Sequence, residues 1–357
     1  MTTRISTMGA SNVLTEYLLN SASKYNKLSV EAASGKKVSK PSDDPTATVN
    51  ILKTNSSLSK LSAYSDNIKS AKNELDVLDS TLSSLNDSIQ NATDLATQAA
   101  NGTYSQSDLD NMKTQVDSIL QSVVSLSNTQ YNDKYIFSGT ATDTTSYGVT
   151  YDTQGNISNI GYWGTLTNDA GYQRDATISD GVTVPVNAAG DKLYGSYFSM
   201  TTTTPTTTTD VTTTTTTTTT SGTGQTKTTI TSITVNDDGT TTTATEVGEG
   251  LMGTLVMLSQ SLAKGDTGGI SASLDGLSNS LDTVSATRAQ FASISNRLDL
   301  TQSSIDNATT QLTSYKSNLQ DADLSQVLTE LASAKLALEA TYQVTSSTLG
   351  LSLLKYM

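Results

Sequence analysis

Apolar residues recur at alternating steps of three and four positions from residue 61 to residue 99. The residues between them are mostly Ser, Asp, Asn, Lys and Thr. This heptad spacing predicts a helix with one apolar seam, because a β-strand would alternate every second residue. At about 1.5 Å of rise per residue, the helix is a rod on the order of 60 Å long. One narrow seam cannot bury itself, so the rod needs partner helices.

A second heptad pattern runs from Ile270 to Leu319 and includes Arg288 and Tyr315. It shifts phase once, between Phe291 and Ile294, which should change the supercoil without ending the helix. The two long patterns match in length, so we predict that they pair as the two antiparallel halves of one rod. The residues expected in the rod seam are Leu61, Ile68, Leu75, Leu78, Leu82, Leu85, Ile89, Leu274, Leu281, Leu298, Ile305 and Leu312.

A shorter helix is predicted after the turn at Asn101-Gly102, with Ser107 or Asp108 as its N-cap. The short loop makes it an antiparallel neighbour of the first rod helix. Its expected apolar positions are Leu109, Met112, Val116, Ile119, Val123 and Leu126. A further helix is predicted from Leu251 to about Gly265.

Both ends of the chain carry shorter helical patterns that are separated from the rod. At the N-terminal break, Gly35 suits a helix C-cap, and Asp44 before Pro45 suits an N-cap with proline at the first helical position. At the C-terminal break, the segment 321–323 provides an Asp N-cap. Such short helices are marginal alone and would bury both faces only against identical neighbours, in head-to-tail rings or tubes. The alternative is that they pack on their own rod. The predicted assembly residues are Leu14, Leu18, Tyr25, Leu28, Leu331, Leu338, Leu349, Leu353 and Leu354.

Between the long helices the apolar period changes towards two, which predicts a β region. Three hairpins are expected, from residues 147–162, 176–186 and 230 onwards. Inside this region, 17 of the 20 residues from Thr201 to Thr220 are Thr. Thr resists helix but offers little to bury, so a flexible or edge-exposed insertion is predicted. An O-glycosylated surface patch is the alternative.

The predicted fold class is therefore mainly α: an elongated antiparallel coiled-coil or helical-bundle rod made from both chain ends, with a small inserted β domain. The expected domains are a terminal assembly domain (1–44 with 321–357), a rod domain (45–140 with 249–320) and a β-rich domain (141–248) that contains the Thr-rich segment 201–220.

Composition removes several functional classes. Only 35% of the residues are hydrophobic, which is low for a compact globule of 357 residues. The net charge of −13 argues against nucleic acid and anionic membranes as partners. No run of 18 apolar residues predicts a membrane-spanning helix, and the first residues lack the apolar core of a cleaved signal peptide.

Catalysis and metal binding are not expected. The chain has no Cys and no His, which excludes disulfides, thiol catalysis, zinc thiolate sites and Ser-His-Asp triads. Three Ser-x-x-Lys spacings, beginning at Ser21, Ser34 and Ser57, are chance in so Ser-rich a chain. The glycines of residues 265–269 lack the Gly-Lys-Ser/Thr of a phosphate loop. We therefore expect no catalytic residue, no metal and no cofactor.

Several motifs together resemble one family. The segment 28–47 (LSVEAASGKKVSKPSDDPTA) is similar to a Ser-Gly-Lys-x-Val-x-x-Pro-Ser-Asp-Asp-Pro signature, and residues 135–140 (YIFSGT) to a Phe-Ser-Gly motif. Further likeness lies in residues 178–187, 287–298 (TRAQFASISNRL), 321–323 and 351–354. The chain thus resembles the flagellin-related hook-associated protein 3 family of bacterial flagella. Flagellins usually have Asn-Ser-Ala-x-Asp-Asp-Ala where this chain has the Pro-Ser-Asp-Asp-Pro of residues 41–45.

The resemblance implies a structural subunit of the hook–filament junction, outside the cell. It would be exported unfolded by the flagellar type III apparatus without a cleaved signal peptide. Its terminal helices would be disordered in the monomer and form an inner tube on assembly. The implied partners are further copies of itself, hook-associated protein 1 on the hook side, flagellin on the filament side, and an export chaperone that binds the C-terminal helix. Two alternatives are a flagellin and a coiled-coil surface adhesin.

Overall fold

The computed structural model describes residues 7–151, 157–166, 172–195, 197–201, 211–220, 226–235 and 241–354. The helices are α1 (Thr7–Ser34), α2 (Pro45–Ala100), α3 (Gln106–Ser127), α4 (Gly190–Tyr194), α5 (Gly250–Lys264), α6 (Thr267–Gln320) and α7 (Leu324–Leu354). The strands are β1 (Gln130–Tyr131), β2 (Lys134–Tyr135), β3 (Tyr147–Tyr151), β4 (Ile157–Tyr162), β5 (Asp175–Ser179), β6 (Val182–Pro185), β7 (Tyr197–Thr201), β8 (Val211–Thr220), β9 (Thr226–Val235) and β10 (Thr241–Glu249). The predicted class, mainly helical with an inserted β region, is confirmed.

The chain divides into two compact units. The first comprises residues 1–63 and 304–357, and the second comprises residues 64–303. The predicted assembly segments, 1–44 and 321–357, fall inside the first unit. The finer three-domain division stays a prediction.

Helix α2 begins where the sequence predicts it. The Asp44 carboxylate Oδ1 accepts a hydrogen bond from the Ala47 N–H at 2.8 Å, which satisfies a free donor of the first turn. The helix then runs without a break to Ala100. Leu61 is half-buried, and below it the fully buried seam residues are Ile68, Ala71, Leu75, Leu78, Leu82, Leu85, Ile89, Ala92, Ala96 and Ala99.

Helix α6 is one continuous helix through the phase shift, as predicted. Its buried apolar residues recur every seven positions from end to end: Ile270, Leu277, Val284, Phe291, Leu298 and Ile305. The half-buried row beside them does shift. Before Phe291 this row holds Leu274 and Leu281, and after Phe291 it holds Ile294 and Ala308. Leu312, further along α6, is also half-buried. The buried row therefore keeps its register, and only its flank changes side.

Arg288 continues the half-buried row of Leu274 and Leu281, and its Nε donates to Asp79 Oδ1 of α2 at 2.9 Å, since a guanidinium needs a polar partner. Tyr315 is 47% exposed. The predicted seam position was therefore wrong for Tyr315.

Within the second unit, α2 and α6 lie side by side and antiparallel. Three polar contacts show the direction, because residue numbers rise along α2 as they fall along α6. Ser65 Oγ accepts from Gln302 Nε2 at 3.0 Å, Lys72 forms an ion pair with Asp299, and Asp79 pairs with Arg288.

Helix α3 begins two or three residues earlier than predicted. Ser105, not Ser107 or Asp108, is the N-cap, and Asp108 completes a capping box with it. The buried residues are Leu109, Met112, Val116, Leu120, Val123 and Ser127, so Ile119 and Leu126 are displaced from the predicted row. The reason is that a straight α-helix drifts relative to a strict seven-residue repeat. Helix α5 packs on α3, where Gln106 Nε2 donates to the carbonyls of Leu262 and Ala263 at 3.2 and 3.0 Å.

The β region contains an antiparallel six-stranded sheet with the order β3-β4-β7-β10-β9-β8, and a separate β5–β6 hairpin. The predicted pairings of β3 with β4, β5 with β6, and β9 with β10 are confirmed. The turn residues 153–156 and 236–239 lie outside the described residues. In the Thr-rich segment, residues 211–220 form β8, the last strand of the described order, whereas residues 202–210 lie outside the described part.

The β5–β6 hairpin is fastened to α2. Asn67 Nδ2 donates to the carbonyl of Thr177 at 2.9 Å, and Arg174 forms an ion pair with Glu74. Burial lowers the pKa of the Arg174 guanidinium, which nevertheless stays charged at physiological pH because its ordinary pKa is so high. The hairpin is thus positioned by one amide and one partly buried ion pair.

A buried aromatic cluster lies between the segments that flank the β strands. Phe137, Tyr147 and Tyr194 are buried, and the ring centroids of Phe137 and Tyr194 are 5.2 Å apart in an edge-to-face arrangement. The Tyr147 hydroxyl lies 2.8 Å from the carbonyl oxygen of Gly190 and 2.6 Å from that of Gly195. The Tyr194 hydroxyl has no hydrogen-bond partner among the described residues.

This cluster predicts a loss of stability at high pH. Burial raises the pKa of both Tyr147 and Tyr194 above the ordinary value near 10. The folded form therefore holds its phenol protons longer than the unfolded chain does. The stability that these groups contribute is complete below about pH 10 and falls as the pH rises above it. We expect phenolate absorbance to appear together with loss of ellipticity.

Two matched variants check that assignment. Tyr194→Phe removes a hydroxyl without a partner, so it should be near neutral at pH 7 and should weaken the alkaline loss. Tyr147→Phe should cost about 1 kcal/mol or more at pH 7, because it leaves buried carbonyls unpaired. Equal effects of the two substitutions at pH 7 would contradict the prediction.

Candidate assembly surface

The terminal helices α1 and α7 pack on each other inside the first unit. Their shared core consists of Leu28, Val327 and Ala334, with Tyr25 and Leu331 packed against it. Of the other predicted assembly residues, Leu14, Leu18 and Leu338 are half-buried. The side chains of Leu349, Leu353 and Leu354 lie outside the described residues. The structure therefore brings both chain ends together as one helix pair.

Many apolar residues of the first unit remain exposed outside the contact between α1 and α7. Sixteen large apolar side chains are exposed in the described part of the chain, and twelve of them belong to the first unit, which is about a third of the sequence. This concentration makes the first unit the candidate interaction surface of the described chain. The twelve are Val13, Tyr17, Leu19, Val30, Val49, Leu52, Tyr315, Leu324, Leu328, Leu336, Tyr342 and Val344.

Helical geometry places two of these residues, Leu19 and Leu336, on the outward sides of α1 and α7. Leu19 lies nine residues before the buried Leu28, about two and a half turns away, which places it on the opposite side of α1. Leu336 lies nine residues after the buried Val327, so it occupies the opposite side of α7 by the same reasoning. Their exposed fractions are 65% and 67%. Leu19 and Leu336 thus lie on the sides of α1 and α7 that face away from their shared core.

The two helix breaks form a joint that we name the arm clasp, made of residues 35–38 and 318–322. The Lys37 N–H donates to the Gln320 carbonyl at 2.8 Å, and the Ala322 N–H donates to the Gly35 carbonyl at 2.9 Å. Lys37 Nζ also donates to the Asn318 carbonyl at 2.7 Å. Gly35, at φ +68°, supplies the left-handed turn that ends α1. The clasp therefore satisfies the carbonyls at the end of α6 with groups from the other end of the chain.

The loop between the clasp and α2 is shaped by one carboxylate. Asp43 Oδ2 accepts from the N–H groups of Ser39 and Lys40 at 3.0 and 2.9 Å. Hydrogen bonding from the Lys40 and Ser39 backbone N–H groups lowers the pKa of the Asp43 carboxyl. Next to this loop, Val38, Ala47 and Ile51 form a small buried cluster with Leu319. The start of α2 and the end of α6 are thereby held at a fixed register.

The C-terminal break works as predicted. Asp323 Oδ1 accepts from the N–H groups of Ser325 and Gln326 at 2.9 and 3.2 Å, and this caps α7. With Asp44 at the start of α2, it gives an aspartate N-cap to each helix that follows a break.

A pH prediction follows from Asp43. Because its pKa is lowered on folding, its contribution to the loop is complete above the ordinary Asp pKa near 4 and is lost as the pH falls through the lowered value. We expect hydrogen-exchange protection of the Ser39 and Lys40 amides to fall in that acidic range. Asp43→Ala should remove the protection at every pH. Asp44→Ala is the control, since it should cost about 1 kcal/mol of α2 capping but spare the two amides.

The comparisons with known proteins agree with this arrangement. Residues 5–142 match the bacterial flagellin N-terminal helical region, and residues 274–357 match the bacterial flagellin C-terminal helical region. Together the two matches cover more than half of the chain. They contain α1, α2, α3 and α7 and most of α6, including the clasp and both outward apolar sides.

Two curated relatives are flagellar hook-associated protein 3. The protein from Escherichia coli is 30% identical over 131 residues, which are 36% of this chain and 41% of the relative. The protein from Salmonella typhimurium is 31% identical over 127 residues, 35% of this chain and 40% of the relative. The alignments thus span about two fifths of the length of these curated relatives.

Solved structures share the fold. A flagellar hook-associated protein from Vibrio parahaemolyticus aligns with a TM-score of 0.57 and 19% identity, over 78% of this chain and 100% of that chain. Flagellar hook-associated protein 3 from Legionella pneumophila aligns with a TM-score of 0.54 and 15% identity, over 75% and 98%. At these identities the likeness concerns the fold.

Sequence reasoning missed the clasp and the outward apolar residues. The clasp depends on main-chain groups and on Lys37, and nothing in the residue pattern marks them. Leu19, Val30 and Leu336 did carry a signal, because they are apolar residues that fall outside the heptad positions.

Proposed function

Because this chain belongs to the flagellin family, we propose that it is a structural subunit of the bacterial flagellum that joins the hook to the filament. The observation that carries the proposal is the set of exposed apolar residues in the first unit, with Leu19 and Leu336 on the outward sides of α1 and α7. A subunit that ended its contacts with its own helix pair would gain nothing from these residues. Neighbouring copies, stacked head-to-tail, would bury them.

The proposed role is structural rather than enzymatic, and it gives each end of the assembly a partner. Hook-associated protein 1 would contact the ring on the hook side, and flagellin would continue from it on the filament side. An export chaperone would cover α7 before assembly, since an apolar helix needs a cover inside the cell. The subunit would leave the cell through the flagellar export apparatus and act outside it. None of the described helices has the length and apolarity of a membrane span.

A filament-forming flagellin is the second candidate, because both flagellin helical regions match. Two observations favour the junction subunit instead. The curated relatives are hook-associated proteins, and residues 40–45 read Lys-Pro-Ser-Asp-Asp-Pro. A coiled-coil adhesin, the third hypothesis, does not account for the flagellin-type ends.

Electron microscopy of a strain that lacks this gene tests the proposal. A junction subunit predicts hooks without filaments, together with flagellin released into the medium. A flagellin would instead leave hooks with nothing released, and its purified form would extend seeds into long filaments. Normal filaments in the deletion strain would refute both flagellar roles.

A further inference from the structure

Strand β8 ends the described six-stranded sheet and has an open side. It pairs antiparallel with β9 along all ten of its residues, from Val211 opposite Val235 to Thr220 opposite Thr226. Among the described strands nothing pairs with its other side. In an antiparallel ladder the residues alternate between the two neighbours, so about half of the β8 backbone groups are directed to the open side.

This edge lacks the protection that edge strands usually carry. Residues 211–220 consist of one Val and nine Thr, with no charge, proline or glycine. The opposite edge of the sheet differs. There, Asn128 Nδ2 donates to the Tyr147 carbonyl at 3.0 Å, and Asn128 Oδ1 accepts from the Tyr147 N–H at 2.9 Å. A side-chain amide thus occupies the open side of β3 at Tyr147, whereas no described side chain is shown to pair with the open side of β8.

The residues of β8 match a second copy of themselves. In the existing β8–β9 pair, six of the ten opposed positions join Thr to Thr or Ser, including Thr215 with Thr231 and Thr217 with Thr229. Cross-strand Thr pairs are favourable in sheets. Because nine successive positions are Thr, an antiparallel copy of β8 places Thr opposite Thr across nearly the whole strand. The register that pairs Thr212 with Thr220 opposes Thr216 to itself and sets all nine Thr residues opposite Thr.

We propose that the open edge of β8 is an interface between two copies of this chain, in which β8 of one copy pairs antiparallel with β8 of the other. The pairing joins two six-stranded sheets across one central pair of strands. The same strand serves on both sides, so the contact is isologous and stops at pairs. It therefore differs from the head-to-tail contacts of the terminal helices, and it stands or falls independently of the proposed function.

Cysteine cross-linking of the full chain tests this pairing, because the natural sequence has no Cys. Thr216→Cys places one thiol near the middle of β8. Opposed residues of an antiparallel pair have their Cα atoms about 4.5–5.5 Å apart, which suits a disulfide. The matched control is Thr183→Cys, on an exposed position of β6. Under mild oxidation, we expect at least about tenfold more disulfide dimer from Thr216→Cys than from the control.

A second variant separates edge pairing from chance collision. Adding Thr214→Lys and Thr218→Lys to Thr216→Cys brings like charges together along the edge, which should reduce the dimer to the control level. Equal cross-linking of Thr216→Cys and Thr183→Cys would overturn the proposal. A dimer yield that the two lysines leave above the control level would overturn it as well.

Discussion

Removal of residues 1–40 or 325–357 is expected to leave the second unit folded and to abolish assembly. The buried seam of α2, the α2–α6 ion pairs and the aromatic cluster all lie within residues 64–303. The outward apolar sides of α1 and α7 lie outside them. Circular dichroism should show a retained cooperative melt, whereas the truncated gene should fail to restore filaments to a deletion strain. Restored filament growth would contradict the role given to the terminal helices.

A milder version of this experiment keeps the chain at full length. Leu19→Ser combined with Leu336→Ser removes the centres of both outward sides but leaves the α1–α7 core of Leu28 and Val327 intact. We expect a stable monomer that does not support filaments. The control is Leu300→Ser, since Leu300 is 74% exposed but belongs to the second unit. That variant should support filaments normally, and a defect of equal size would show that exposed leucines matter regardless of position.

Leu78→Asp is expected to unfold the α2–α6 pair. Leu78 has no exposed surface and lies in the middle of the α2 seam. The substitution both leaves a cavity and buries a carboxylate without a partner, so a loss of more than about 4 kcal/mol is expected. Thermal unfolding followed by far-UV circular dichroism measures it. Ser80→Asp adds the same charge two residues further on at an exposed position, and its melting temperature should change little.

The helical part of the fold was largely predictable because its signals are local. The heptad spacing of α2 and the aspartates before α2 and α7 each depend on residues within one or two turns. The errors at Ile119 and Tyr315 lie where a real helix drifts relative to a strict seven-residue repeat.

The remaining features depend on distant parts of the chain. In the sheet, β7 lies between β4 and β10, and no turn motif in the sequence predicts either of these pairings. The clasp pairs backbone groups of Lys37 with those of Gln320, which any residue except proline provides. The mutual face of α1 and α7 followed from the heptad pattern. Leu19 and Leu336 did not, because they lie out of phase with it.

The separation of the clasp's partners along the chain has a consequence for the order of events. Lys37 and Asn318 are 281 positions apart, so their hydrogen bond closes a loop that contains most of the protein. Closing so long a loop costs more entropy than forming any single hairpin inside it. Neither terminus can form the clasp until the other is present. A subunit secreted in extended form would therefore keep α1 and α7 apart until nearly the whole chain has left the cell.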